Sequence, residues 1–142
     1  MSTISAIRDG LVTAAITVNA TSGLGKIRGF PYAPDTVNPP VFIVYGYSAD
    51  FDLAMNRGTD KLTFDTEIVV QRANERQATK ALDTYVAALK AALESDQTLS
   101  STAFGVRVTS MPGYQPRVAG NESTFRLAAP LSVEVHTAIT TT

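Results

Sequence analysis

Ser132, Glu134 and His136 fall on alternate positions near the carboxyl end, and they are the residue types of a serine hydrolase triad. In an extended chain such positions share one face, with successive Cβ atoms roughly 6 to 7 Å apart. A triad needs its members within hydrogen-bond reach, so this spacing reads as the solvated face of a strand. His136 is the single histidine, and it stands beside the Thr-rich end, where the rigid surroundings that acid–base or metal chemistry requires are hard to supply. Gly23-Leu24-Gly25-Lys26 has the composition of a phosphate-cradling loop. Its glycines, however, follow a helical stripe and precede an extended piece, the reverse of the order that aims helix amides at a phosphate, so a helix end and turn is the better account. Asp50-Phe51-Asp52 begins like a calcium loop and then fails, with Ala54 and Met55 at later ligand positions and Lys61 where a bidentate glutamate belongs. Arg107, Arg117 and Arg126 are spaced to gather on one surface, as a solvated face or an interface rim. The expectation is a non-enzymatic protein with no cofactor and no metal.

Composition narrows the partners. Twelve basic and thirteen acidic residues give a net charge of -1, without a block that would concentrate on a nucleic acid or an anionic membrane. Cysteine is absent, which excludes disulfides and thiolate chemistry and leaves packing to hold the fold. A 142-residue chain that is 44% hydrophobic suits one domain with a real core.

The elements that must position these residues follow from hydrophobic periodicity. Ile4, Ile7, Leu11, Ala15 and Val18 form one stripe at helical spacing, with Ser2 or Thr3 able to cap its start. Asp9, Thr13 and Thr17 interrupt the apolar run, so an amphipathic helix is expected there in place of a signal peptide. With no leader expected, the sequons at Asn19 and Asn121 imply no glycosylation. Gly23, Gly25 and Gly29 mark a turn into a short extended piece around Lys26 to Tyr32, and Pro34, Pro39 and Pro40 then hold off regular structure. Val41 to Tyr45 lacks polar alternation and reads as a strand covered on both faces, ended by Gly46. Ser48 to Thr59 reads as a loop.

From Lys61 to Arg72 the chain alternates, with Leu62, Phe64, Ile68 and Val70 on one face and Lys61, Thr63, Asp65, Glu67 and Gln71 on a wet one. Asn74 then offers a helix cap, with Gln77 three residues on, and apolar residues recur from Ala78 to Leu93. Phe104 to Met111 and Thr124 to His136 read as further strands, with Pro130 on the polar face of the second as the sign of an edge or bulge. The expected fold is α+β: a single domain over 1–142, a mixed, mostly antiparallel sheet of four to five strands, two helices on one face, and a frayed tail over 137–142. A strand from Thr124 to His136 would extend roughly 43 Å at about 3.3 Å per residue. A compact domain of this size is about 37 Å across. Either that strand bends or it leaves the domain, and a projecting arm would need a neighbouring subunit to cover its edges.

The order of these pieces resembles that of the tail terminator, or tail completion, proteins of long-tailed bacteriophages. The resemblance runs over nearly the whole chain: the opening helix with Ile4, Ile7 and Leu11, then Pro34-Asp35-Thr36-Val37-Asn38-Pro39-Pro40-Val41, then Arg57-Gly58-Thr59-Asp60 through Val70, the Asn74 to Leu93 helix, and the ending from Val106-Arg107-Val108 to Val135. One departure is the unbroken stretch Leu82 to Leu93, where relatives often carry a Gly/Pro/Ser insert. The resemblance implies a structural virion protein at the head-proximal end of the tail, assembled in the host cytoplasm. It implies a homo-oligomer, a hexameric ring that caps the tail tube protein and offers a surface to the head completion or connector protein, with no specific nucleic acid binding and no membrane. Another neck or tail component, such as a head completion protein, and a small-ligand-binding α+β domain are the alternatives. Phe51, Leu53 and Met55, with Arg57 and Asp60 at the base of the loop, are the candidate interface, because apolar loop side chains beside charges suit a partner surface.

Overall fold

The computed structural model describes residues 3–20, 26–35, 39–50, 60–99, 103, 105–117 and 125–137. Thr3 opens helix α1 (Ile4–Ile16) by accepting the Ala6 amide on its hydroxyl oxygen at 3.1 Å. The helix buries Ile7, Leu11, Ala14 and Ala15, and a 3-10 turn over Thr17–Ala20 adds Val18 to the same stripe. Asn74 caps helix α2 (Glu75–Ser95) through Oδ1 and the Gln77 amide at 3.0 Å. Ala78, Leu82, Tyr85, Leu89 and Leu93 line its buried side, the stripe that the periodicity predicts.

Six strands form one mixed sheet: β1 (Arg28–Phe30), β2 (Val41–Asp50), β3 (Asp60–Arg72), β4 (Gly105–Ser110), β5 (Gln115–Arg117) and β6 (Phe125–Thr137). Their spatial order is β1-β2-β3-β6-β4, with β5 also on β6; β1 and β2 run parallel and every other pair antiparallel. The fold is thus the expected single α+β domain, with β5 as the added strand. That strand is three residues long and contains Pro116, so its composition reads as a break and only its neighbour makes it a strand. Strands β3 and β4 are parallel to one another with β6 between them, so β3-α2-β4 is a split crossover whose helix lies over β6.

The two helices cover one face of the sheet. Phe42, Val44, Leu62, Phe64, Ile68 and Val133 are fully buried in the core beneath them. Thr66 falls in the same inward row, and its hydroxyl is satisfied by the Leu131 carbonyl at 3.1 Å.

Five features differ from the sequence reading. Gly46 does not end β2: Tyr45 and Gly46 together oppose Asp65, since Val44 pairs with Thr66 and Tyr47 with Phe64, and the strand continues to Asp50 through this bulge. The long strands do not project as an arm. β3 and β6 pair one to one from Asp60↔Thr137 to Arg72↔Phe125, and β2 on one side and β4 and β5 on the other cover their flanks within the same chain. Thr137, assigned to the frayed tail, is instead the last paired residue of β6 and is buried. Pro130 marks neither an edge of the sheet nor a bulge; it sits opposite Glu67, in the gap of β6 between the segments that pair with β4 and β5, where a missing N–H leaves no strand without a donor. The outer face is not uniformly wet, because Val41, Ile43, Val69 and Ala128 bury one another there with Phe30 and Tyr45 packed against them.

Gly29 of β1 faces α1, and a Cβ there would come within 2.5 Å of Val12 Cγ1 and 3.2 Å of Ile16 Cγ2. Gly29→Ala is therefore expected to destabilise the fold by about 1 to 3 kcal/mol, because the β-branched Val12 has little rotamer freedom to retreat. Adding Val12→Ala should recover most of that loss. Urea unfolding of the single and double variants measures both, and two effects that simply add would show that the contact is not the cause.

Candidate interaction surface

The catalytic arrangements resolve into structural pairs. His136 Nε2 and Glu134 Oε1 lie 2.7 Å apart along the outer face of β6, so two long side chains bridge a spacing that separates their Cβ atoms. Ser132 is four residues from His136 on the same strand, about 13 Å away along it, and is not placed to be its nucleophile. Asp50 pairs with Lys61 at 3.5 Å across the β2–β3 ladder, which gives both a role without calcium. Among the described residues no group of histidine, aspartate and glutamate could hold a metal ion, and no helix is long and apolar enough to cross a membrane. Gly23, Gly25 and Asp52 lie outside the described residues.

The three arginines do share the outer face. Arg117 and Arg126 are register partners on β5 and β6, and Arg107 on β4 stands opposite Glu134. Arg117 reaches across the sheet to Glu67 with Nε at 3.1 Å from Oε1 and Nη2 at 2.8 Å from Oε2, while Arg126 Nε donates to Gln71 Oε1 at 2.7 Å. The Glu67 side chain is only 10% exposed, against 37% for Arg117, so the carboxylate depends on this bidentate partner. The hydrogen bond to Glu67 is the main cause of a raised Arg117 pKa. Burial, followed by the nearby Glu67 charge, raises that of the Tyr45 hydroxyl. Beside this network an open cleft of about 220 Å³ lies between Tyr45, Glu67, Pro112, Pro130 and Ser132.

The flanks of the sheet contrast more sharply. β1 pairs with Val41 to Ile43 only, so from Tyr45 to Asp50 the outer side of β2 has no strand beside it among the described residues. Arg8 closes the notch where β1 departs: its Nη1 donates to the Pro31 carbonyl at 2.9 Å and the Val44 carbonyl at 3.4 Å. Its guanidinium lies 4.6 Å from the Tyr32 ring centre and 5.5 Å from that of Phe64. Arg8 is 92% buried by this setting, whereas Tyr32 and Tyr47, the latter stacked at a tilt on Phe64, remain exposed. At the opposite flank, side chains from the end of α2 cover β4: Glu94 Oε2 accepts the Val108 amide at 3.1 Å, and Gln97 bonds both main-chain groups of Val106.

Of the candidate interface residues, Phe51, Leu53, Met55 and Arg57 lie outside the described residues. Asp60 is the first residue of β3, half-buried opposite Thr137, so it is a member of the ladder at the point where the chain re-enters the sheet. The sequence reading did not single out Arg8, Glu94 or Gln97. Arg8 carried a signal, since it stands at helical spacing between Ile4 and Leu11 on the apolar stripe. Glu94 and Gln97 carried none, because their partners belong to a strand that the sequence does not place beside them.

Arg117→Ala should destabilise the protein by on the order of 2 kcal/mol, less than the roughly 3 to 5 kcal/mol of a fully buried pair because the guanidinium is partly solvated. Replacing Glu67 and Arg117 together with Met should cost little by comparison, and chemical denaturation compares the two. The hydrogen bond from Lys90, then that from the Val108 amide, hold the Glu94 carboxyl below its ordinary value of 4.5 despite opposing desolvation. A depressed carboxylate contributes stability that is present above that value and lost as the pH falls through the lower folded one. Exchange of the Val108 amide, referenced to the intrinsic rate, should therefore accelerate below pH 4.5, and an unchanged protection factor down to pH 2 would contradict the assignment.

No protein-family model matches the chain, and no curated protein matches it in sequence. Among solved structures it is similar to a chain of the virion of a native gene transfer agent particle, with a TM-score of 0.52, 11% identity, and coverage of 92% of this chain and 94% of that one. At that identity what is shared is the fold, and it is shared from end to end.

Proposed function

We propose that this chain is a structural virion protein that closes into a ring on the end of a phage tail tube, terminates tube polymerisation and provides the surface for head attachment. The observation that carries the reading is the end-to-end likeness of its fold to a component of a gene transfer agent virion. The order of sequence elements that resembles the tail terminators supports the finer assignment. The work of such a protein is contact, and its partners are further copies of itself, the tail tube protein and a head completion or connector protein. Its place is the head-proximal end of the tail. Phe51, Leu53 and Met55, with Arg57 and Asp60, are the residues proposed to meet the adjacent subunit or the tube, since their apolar side chains beside charges suit a partner surface and they belong to the stretch of sequence that joins β2 to β3.

Sedimentation of the purified protein over a concentration series, with and without tail tubes, tests this reading. A species of six times the 15.1 kDa chain mass, formed alone or on tube ends, is the expected result. Phe51→Ser with Leu53→Ser should leave a folded chain that assembles at least about tenfold more weakly, as loss of buried apolar contacts predicts. A chain that stays monomeric and leaves tube growth unchanged would overturn the proposal, and unchanged assembly of the double variant would remove the loop from it.

A further inference from the structure

At one end the sheet is four strands wide, with Tyr47–Asp50 of β2, the start of β3, the end of β6 and Gly105–Val108 of β4 side by side. Its two outer edges are treated differently. The β2 edge is bare from Tyr45 to Asp50 among the described residues. On β4 three outward main-chain groups are taken by side chains. Gln97 Oε1 accepts the Val106 N–H at 3.0 Å, and Gln97 Nε2 donates to the Val106 carbonyl at 2.9 Å. A carboxamide has the donor and acceptor of a peptide group, so this one side chain makes both bonds that a residue of a neighbouring antiparallel strand would make. Two residues on, Glu94 Oε2 takes the next outward amide, that of Val108, at 3.1 Å. Both side chains are fixed from behind. Lys90 holds the other Glu94 oxygen at 2.6 Å, and Gln97 lies in a turn whose Leu99 has φ of 46° and is fully buried.

We propose that Glu94 and Gln97 form a clasp that withholds the β4 edge from strand pairing, and that the occupant it excludes is the open Tyr45–Asp50 edge of a second copy of this chain. Direction favours that occupant. Within one sheet β2 runs antiparallel to β3, β3 to β6 and β6 to β4, so β2 and β4 are antiparallel to one another. A second copy placed edge to edge in the same orientation therefore brings an antiparallel strand to β4, and the alternation of the sheet continues across the junction. Length favours it too, since each edge offers six residues, Gly105–Ser110 and Tyr45–Asp50. Such a contact joins different surfaces of two copies, and each copy added presents the same edge again, so nothing in it limits growth. The clasp removes one of the two surfaces that this growth needs. It acts whatever assembly the parent protein forms, and it does not rest on the ring reading.

The test uses the full chain with Glu94→Ala and Gln97→Ala together. Sedimentation should show the double variant adding larger species as concentration rises, on top of the parent's own state. Exchange of the Val106 and Val108 amides should rise about tenfold in dilute solution and fall again at high concentration as a neighbouring strand covers them. Adding Val108→Pro, which deletes an outward donor, should return the protein to the parent's state. Should the double variant fail to fold, Gln97→Glu, which sets a carboxylate beside Glu94 and removes the donor to Val106, is expected to produce the same extra association. A folded variant that keeps the parent's mass at every concentration while both amides exchange freely would overturn the proposal, because the edge would then be open and unpaired. Association that persists with Val108→Pro, or that leaves the two amides unprotected, would likewise overturn it.

Discussion

The unbroken pairing of β3 with β6 is the constraint from which the rest of the structure follows. Thirteen residues of each strand oppose one another without a bulge, so every inward side chain of one lies beside an inward side chain of the other. Between Leu62 and Val70 that row is apolar apart from Thr66, and its burial demands a cover that the two helices supply. It also places many peptide groups out of reach of water, where each must find a partner. β2 supplies partners along one side, and β4 and β5 divide the other between them. The division leaves a gap, and the gap holds the one residue of β6 that has no amide to satisfy, Pro130.

Polar side chains then finish what the strands leave incomplete. Where β1 turns away, Arg8 binds the Pro31 and Val44 carbonyls and sits against two aromatic rings. Where β4 ends the sheet, a carboxamide and a carboxylate stand in for a further strand. On the outer face, Glu67 is buried among apolar neighbours and is made tolerable by the fork of Arg117, which ties β5 to β3 across β6. The Arg8 and Glu67 pairings work because a charged group out of bulk water interacts more strongly with its partner than it would in solvent. The outer face is thereby divided into a dry half around Ile43 and Val69 and a polar half around Asp65, Ser132 and Glu134.

Much of this was legible in the residues themselves. Thr3 and Asn74 cap the helices as their types suggest, and the stripe from Ala78 to Leu93 is the buried side of α2, because helical spacing and capping are local properties. The alternation from Leu62 to Val70 likewise announces β3. What misled was local punctuation with a distant cause. Gly46 has the composition of a strand end, yet the pull of the β3 ladder carries β2 past it as a bulge. Pro116 reads as a break, yet β6 recruits it into a strand. Thr137 belongs by composition to a loose tail, yet Asp60 stands opposite and holds it in the ladder. Phe51, Leu53, Met55, Arg57 and Asp60 read as an interface from apolar side chains beside charges, and of these five the described structure places only Asp60.

By itself, then, the sequence determined the two helices, the principal strands and the faces they turn to the core, since all of these depend on residues within a few positions of one another. Only the tertiary structure decided which strands neighbour which, that Glu67 and Arg117 meet across fifty residues, and that one edge of the sheet is clasped while another has no strand beside it among the described residues. Those outcomes depend on pairings between distant segments, and no periodicity records them. They arise when a buried donor, acceptor or charge must be satisfied by whatever group the fold brings within about 3 Å.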